Sequence, residues 1–145
     1  MKWVILIAPL IALAGCNSAE NPVRHEFILP DGYKGVFKIV EDKTAGQPVK
    51  PVDGLVKITV PSNGIVMVKS THTLQEWHKA VAVYKSGGIL PFGVGALPDA
   101  ESVAFFSLWT EANGTIYYLI GTKAEFDRLQ KGSPWKADDY LPRGK

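Results

Sequence analysis

Between His25 and Gly121 the apolar residues come in short runs, and nearly every run is closed by proline, glycine or asparagine. That punctuation leaves little room for long helices and favours strands joined by tight turns. His25 to Leu29 reads as a first strand, stopped by Pro30-Asp31-Gly32. Tyr33 to Val40 reads as a second, with Phe37 and Ile39 on one face and Lys38 on the other. Leu55 to Val60 alternates Val56, Ile58 and Val60 against Lys57 and Thr59. After the turn Pro61-Ser62-Asn63-Gly64, the segment Ile65 to Lys69 is the expected hairpin partner of that strand. Ala80 to Tyr84 is a further strand, closed by Ser86-Gly87-Gly88. Val103 to Thr110 and Thr115 to Ile120 form a second hairpin about Ala112-Asn113-Gly114. Glu41 to Gly54 and Ile89 to Glu101 hold several prolines and glycines and read as loops.

The period changes at Thr122. Thr122 and Glu125 have the spacing of a capping box, Phe126 and Leu129 fall on one helical face, and Gly132 ends the run. A short helix is expected there, packing those two residues on the sheet. Thr73 and Glu76 have the same spacing, so Thr73 to Lys79 reads either as one or two helical turns or as extended chain. The tail from Pro134 to Lys145 carries Trp135, Tyr140 and Leu141 and is expected to lie across the domain. No internal repeat or low-complexity tract is evident in the chain. The expected fold is mainly β: an antiparallel β-sandwich or open barrel of about six to eight strands with one short C-terminal helix.

The N-terminus is of another kind. Lys2 precedes an uncharged, largely apolar run from Trp3 to Ala14. Crossing a bilayer takes about 20 such residues, so the run suits the apolar part of a secretory signal. It ends Leu13-Ala14-Gly15-Cys16. These residues resemble the lipobox of bacterial lipoprotein signal peptides. The resemblance implies cleavage before Cys16 by the lipoprotein signal peptidase, a diacylglyceryl group on the Cys16 thiol and an N-acyl chain added later. Stable anchoring takes at least two acyl chains, which a diacyl cysteine supplies. The competing readings are an ordinary secretory signal with an incidental cysteine and a transmembrane anchor; Pro9 and the short run argue against the latter. Cys16 is the single cysteine, so no intramolecular disulfide can form. The expected organisation is a signal peptide over residues 1–15, a lipidated tether over 16–23 and one β-rich domain over 24–145, with 130 residues left after cleavage. The polar tether from Asn17 to Arg24 reaches at most about 28 Å, so the domain is expected close to the membrane. By analogy with enterobacterial sorting, Asn17 where an aspartate would hold the protein at the inner membrane favours the outer membrane (periplasmic face or cell surface) in a two-membrane cell.

The segment Phe27-Ile28-Leu29-Pro30-Asp31-Gly32-Tyr33-Lys34-Gly35-Val36-Phe37-Lys38-Ile39 resembles the opening of an uncharacterised domain of small bacterial lipoproteins. There a strand ends in Pro-x-Gly-Tyr/Phe-x-Gly and a second strand follows at once. Val60-Pro61-Ser62-Asn63-Gly64 and Gly87-Gly88 are compatible with the same pattern. The arrangement is also similar to transthyretin-like sandwiches. Over most of residues 24–130, these resemblances imply shared architecture and no catalytic residues.

The chain carries 16 basic and 14 acidic residues, scattered, and loss of Lys2 leaves a balance of about +1. Nucleic-acid binding calls for a concentrated basic face, so no nucleic-acid partner is expected. The nearest approach to a ligand cluster is His72, Glu76 and His78. On a helix 72 and 76 share a face; on a strand all three do; a metal needs two or three such groups converging. No His-Glu-x-x-His and no Gly-x-Ser-x-Gly occurs, and a Cys–His nucleophile is excluded if Cys16 carries lipid. Gly93-Val94-Gly95 lacks the third glycine of a dinucleotide loop, and Asp138-Asp139 reads as a solvated tail. Phe105 and Trp109 are expected on one face of the second hairpin, Phe106 and Leu108 on the other, with Tyr117 and Tyr118 split likewise. One face fills the core. The other is either covered by the helix and tail or left open as a binding surface, for which Tyr33, Trp109 and Tyr117 are the candidates. The sequence therefore reads as a membrane-anchored, non-catalytic binding or structural module of the cell envelope, without a cofactor, meeting the membrane through its lipid and an envelope protein or glycan through its surface. The alternative is a small envelope hydrolase or metal-binding protein using His72, Glu76 and His78.

Overall fold

The computed structural model describes residues 23–76, 79–93, 99–131 and 138–142. The strands are β1 (Arg24–Leu29), β2 (Gly35–Glu41), β3 (Leu55–Thr59), β4 (Ile65–Val68), β5 (Lys79–Tyr84), β6 (Ile89–Leu90), β7 (Ala104–Thr110) and β8 (Ile116–Gly121). A single helical turn, α1 (His72–Gln75), precedes β5, and a longer helix, α2 (Lys123–Gln130), follows β8. The strands form two four-stranded sheets, ordered β3-β1-β5-β6 and β4-β2-β8-β7.

The sheets are mixed, which corrects the antiparallel expectation. β1 pairs in parallel with both β3 and β5, and β2 pairs in parallel with β4. The expected hairpin of β3 with β4 does not form, because the two strands lie in different sheets. The turns after β1 and β3 are arches that carry the chain from one sheet to the other. The reason lies in where the apolar faces must go. Phe27 and Leu29 of β1, Phe37 and Ile39 of β2, Val56 and Ile58 of β3, and Val66 and Val68 of β4 all share one core. A hairpin would lay each pair of strands side by side; an arch lets their apolar faces meet across the core. Stacking the second arch on the first then puts Phe27 beside Ile58 and Ile39 beside Val66. The two arches are a structural repeat, and both β1 and β3 run into a proline, Pro30 and Pro61, within two residues of their ends. Lacking an N–H, proline ends strand pairing.

Tyr33 locks the arches together. Its hydroxyl donates to the Val36 carbonyl at 2.8 Å. The ring sits so close to Gly64 that a Cβ there would come within 2.5 Å of the Tyr33 hydroxyl, and Gly64 has φ +72°. Only glycine meets both demands. Burial raises the Tyr33 pKa, as expected for a phenol held away from water.

Phe27, Phe37, Phe105 and Tyr118 meet at the centre, with ring centroids 4.9 Å apart for Phe27–Tyr118 and 5.2 Å for Phe37–Tyr118. Fully burying a side chain such as Phe contributes roughly 1.5–3 kcal/mol. A second apolar cluster covers the outer face of the β4-β2-β8-β7 sheet: Val36, Phe106, Tyr117, Leu119 and Leu129, with Phe126 and Leu141 packed on it. Helix α2 starts at the expected capping box, in which Thr122 accepts from the Glu125 N–H and Glu125 accepts from the Thr122 N–H at 2.7 Å. Phe126 and Leu129 face the sheet as expected. Leu141 of the tail extends the cover, and Asp138 meets Lys38 at 2.9 Å; Trp135 lies outside the described residues.

Both open sides of the sandwich carry a link. On one side the Gln47 backbone pairs with β4, donating to Met67 O and accepting from Lys69 N. Its side-chain amide pairs with Thr59, donating to the carbonyl at 3.0 Å and accepting from the N–H at 3.1 Å. On the other side Phe92 forms a bridge to Phe105 of β7. The sheets remain two and do not close into a barrel.

Candidate functional site

An opening between the layers lies on the β5–β7 side. β6 pairs only with Ala82 and Val83, so it leaves the first half of β5 unmatched by that strand. β5 also turns its small residues inward. Ala82 is buried in the core and Ala80 packs against it, whereas Val81 and Val83 alternate to the other face. Between Ala80 and Val81 of β5 and Tyr118 of β8 lies a cleft of about 570 Å3. Leu74, Ala80, Ile116 and Phe92 supply apolar lining. Lys79, Ser107, Thr110 and Tyr118 supply the polar groups. The volume is in the range of small-molecule sites, and apolar walls with a few polar groups are their usual make-up.

Tyr118 is 3% exposed, and burial alone accounts for its raised pKa, with no hydrogen bond contributing. Among the described residues its hydroxyl has no hydrogen-bond partner, in contrast to Tyr33 and Tyr84, which donate to Val36 O and Tyr33 O. The Tyr118 hydroxyl is not one of the fully buried polar atoms that lack a partner, so it reaches the solvent of the cleft. Lys79 and Ser107 are exposed at the rim. No acidic side chain lines the cleft among the described residues.

The sequence-derived candidates fall elsewhere. Leu13, Ala14, Gly15 and Cys16 lie outside the described residues, as does His78. His72 and Glu76 lie 3.3 Å apart at i,i+4 spacing, both largely exposed. No capping hydrogen bond from a side chain starts α1, whose N-cap is Thr71, so the box expected of Thr73 and Glu76 is not made. No group of three His, Cys, Asp or Glu able to hold a metal occurs among the described residues. Tyr33 and Tyr117 are buried, at 6% and 3% exposure, and Trp109 is half-buried. These three do not form an exposed strip; the outer face of the hairpin has its cover of helix and tail.

Trp109 is on the face opposite to the one its alternation predicts. A register shift between Ser107 and Trp109 breaks the β7–β8 ladder, and Trp109 then pairs with Tyr117, ring centroids 5.3 Å apart. Phe105 stays in the inner core while Trp109 joins the outer cluster. A bulge inserts one residue and flips every later side chain, which counting by twos does not foresee.

The cleft residues carried one legible signal. In Lys79-Ala80-Val81-Ala82-Val83-Tyr84 the alternation of alanine with valine marks a strand with one small face. Which face turns inward is a tertiary decision.

No protein-family model matches the chain, and no curated protein matches it. A crystal structure described as "Putative Lipoprotein from Bacillus anthracis" is similar over 85% of this chain and 83% of that chain, at 11% sequence identity and a TM-score of 0.42.

Proposed function

We propose that the protein is a lipid-anchored lipoprotein of the cell envelope that acts as a non-catalytic binding module. The observation that carries this reading is Leu13-Ala14-Gly15-Cys16 at the end of an uncharged apolar run, ahead of a domain whose first strand starts at Arg24. Signal peptide, lipidated tether and β-domain follow one another without overlap. The described residues include no helix long and apolar enough to cross a membrane. Two acyl chains on Cys16 suffice for stable anchoring. Outer-membrane placement follows from Asn17 in a two-membrane cell.

The binding role rests on the inter-sheet cleft. The partners first expected, an envelope protein or glycan, would have used the aromatic face of the hairpin, and that face is covered. The exposed His72–Glu76 pair lends no specific support to a hydrolase or metal-binding reading.

The anchor is tested in cells. Wild-type protein is expected to incorporate a fatty-acid analogue and to run at the size of the cleaved chain. Cys16→Ser is expected to lose the label and to remain uncut. Labelling that persists in Cys16→Ser refutes the lipobox reading.

A further inference from the structure

We infer that the cleft between β5 and β7 is a binding site for a single-chain amphiphile with a carboxylate head, a fatty acid in chemical terms. The inference deepens the binding-module reading by naming its ligand class and does not depend on the anchor at Cys16.

Three observations converge. The first is volume, about 570 Å3 between two packed sheets, where β5 presents the small side chain of Ala80. A volume of this size is in the range of small-molecule sites. The second is the lining. Leu74, Ala80 and Ile116 offer an aliphatic wall, which suits a methylene chain, and each methylene buried there contributes favourably. The third is the polar inventory. Tyr118 is 3% exposed and lines the cleft with an unpartnered hydroxyl, and Lys79 stands at the rim. Both are donors at neutral pH, and no acidic residue lines the cleft among the described residues. The complementary head is therefore an acceptor, and an anionic one gains most. A carboxylate has lone pairs for both: the Tyr118 O–H donates to one oxygen, and the Lys79 ammonium compensates the charge at the solvent side. No covalent step is involved.

The test uses the full chain carrying Cys16→Ser, which removes any lipid of its own at that residue, and dodecanoate below its micelle concentration. Calorimetric titration is expected to give saturable binding of one molecule per chain. Lys79→Gln, a surface change, is expected to weaken it about tenfold, as loss of a charged hydrogen-bond partner does. Tyr118→Phe keeps the ring and removes the hydroxyl, for an expected loss of about fivefold. Ser107→Trp places a large side chain at the rim and is expected to abolish binding while thermal unfolding stays close to that of the parent. Dodecanol has the chain without the charge; it is expected to bind more weakly and to be indifferent to Lys79→Gln. No saturable binding overturns the inference. So does binding that survives Ser107→Trp, which would locate the ligand elsewhere, or equal affinity for dodecanol, which would remove the carboxylate. Failure of these experiments leaves the labelling of Cys16 untouched, and failure of the labelling leaves this site untouched.

Discussion

The stacked arches of β1 to β4 and the β7–β8 hairpin are written in the same residue types: alternating Val, Ile and Phe, interrupted by glycine, proline and asparagine. They fold differently. In the hairpin, strands adjacent in sequence pair with each other, Phe106 opposite Leu119 and Thr110 opposite Ile116. In the arches, neighbours in sequence never pair; Phe27 meets Ile58, far along the chain, and Ile39 meets Val66. The hairpin and helix α2 rest on local rules. The arches rest on a long-range choice, in which closing a longer loop is offset by a shared core. The turn chemistry is therefore under different constraint in the two regions: a hairpin turn has to reverse the chain, whereas an arch turn must also fit the turn stacked beside it.

Paired glycine substitutions probe this contrast most strongly. Gly64→Ala in the arch drives a Cβ to 2.5 Å from the Tyr33 hydroxyl and 2.9 Å from the Val36 carbonyl oxygen, at φ +72°. The expected cost is about 3 kcal/mol or more, from overpacking and backbone strain together. Gly114→Ala in the hairpin turn, at φ +86°, meets nothing nearer than Gln75 Nε2 at 3.3 Å. Its expected cost is about 1–2 kcal/mol, from the backbone alone. Chemical denaturation of both variants measures the difference, and equal losses would dissolve the distinction between arch and hairpin.

The link between the sheets comes next. Gln47→Ala removes both side-chain hydrogen bonds to Thr59. The expected loss is about 1–2 kcal/mol by the same measurement. Faster hydrogen exchange at the Thr59 amide would identify the site of the change, and unchanged exchange there would mean that Gln47 does not tie the sheets. On the local side, Thr122→Ala removes the cap of α2, for an expected loss of about 1 kcal/mol. Its effect should stay within α2 and the outer cluster, leaving exchange in β1 and β3 unaltered.

The smallest effect is electrostatic. The Asp31 carboxylate, in the first arch turn, accepts from the Ser86 N–H at 2.8 Å in the turn between β5 and β6. That backbone bond, followed by the Ser86 side chain, holds the Asp31 pKa below its ordinary 3.8. A carboxyl with a depressed folded-state pKa stabilises the fold at pH above its unfolded value. The contribution is lost as pH falls through the lower folded value. The melting temperature is therefore expected to decline below about pH 4, and Asp31→Asn to flatten part of that decline. A variant that tracks the wild-type acid curve would leave Asp31 out of the account.

Several elements were legible in the sequence because their causes are local. The capping box of Thr122 and Glu125, the inward pair Phe126 and Leu129, and the turn at Asn113-Gly114 depend on residues within a few positions of each other. Most strand positions were readable too, since alternation is a property of neighbours; two-residue β6 was not, because so short a strand has no period. The pairing of strands was misread at Pro61 to Gly64, where a turn suited to a hairpin instead crosses between sheets. Trp109 was assigned to the wrong face because a bulge leaves no mark in the residue pattern. Tyr33 and Tyr117 looked available for binding and are buried, one by the neighbouring arch and the other beneath the α2 and tail cover.

The sequence by itself determined the mainly β character, the placement of most strands and the capped helix. All of these are written in contiguous residues. Only the tertiary structure decided that the sheets are mixed, that Gln47 and Phe92 link them, and that Ala80 of β5 and Tyr118 of β8 line one cleft. Each of those depends on which surfaces meet, and that is set by burying the most apolar area over the whole chain, which no local window of residues contains.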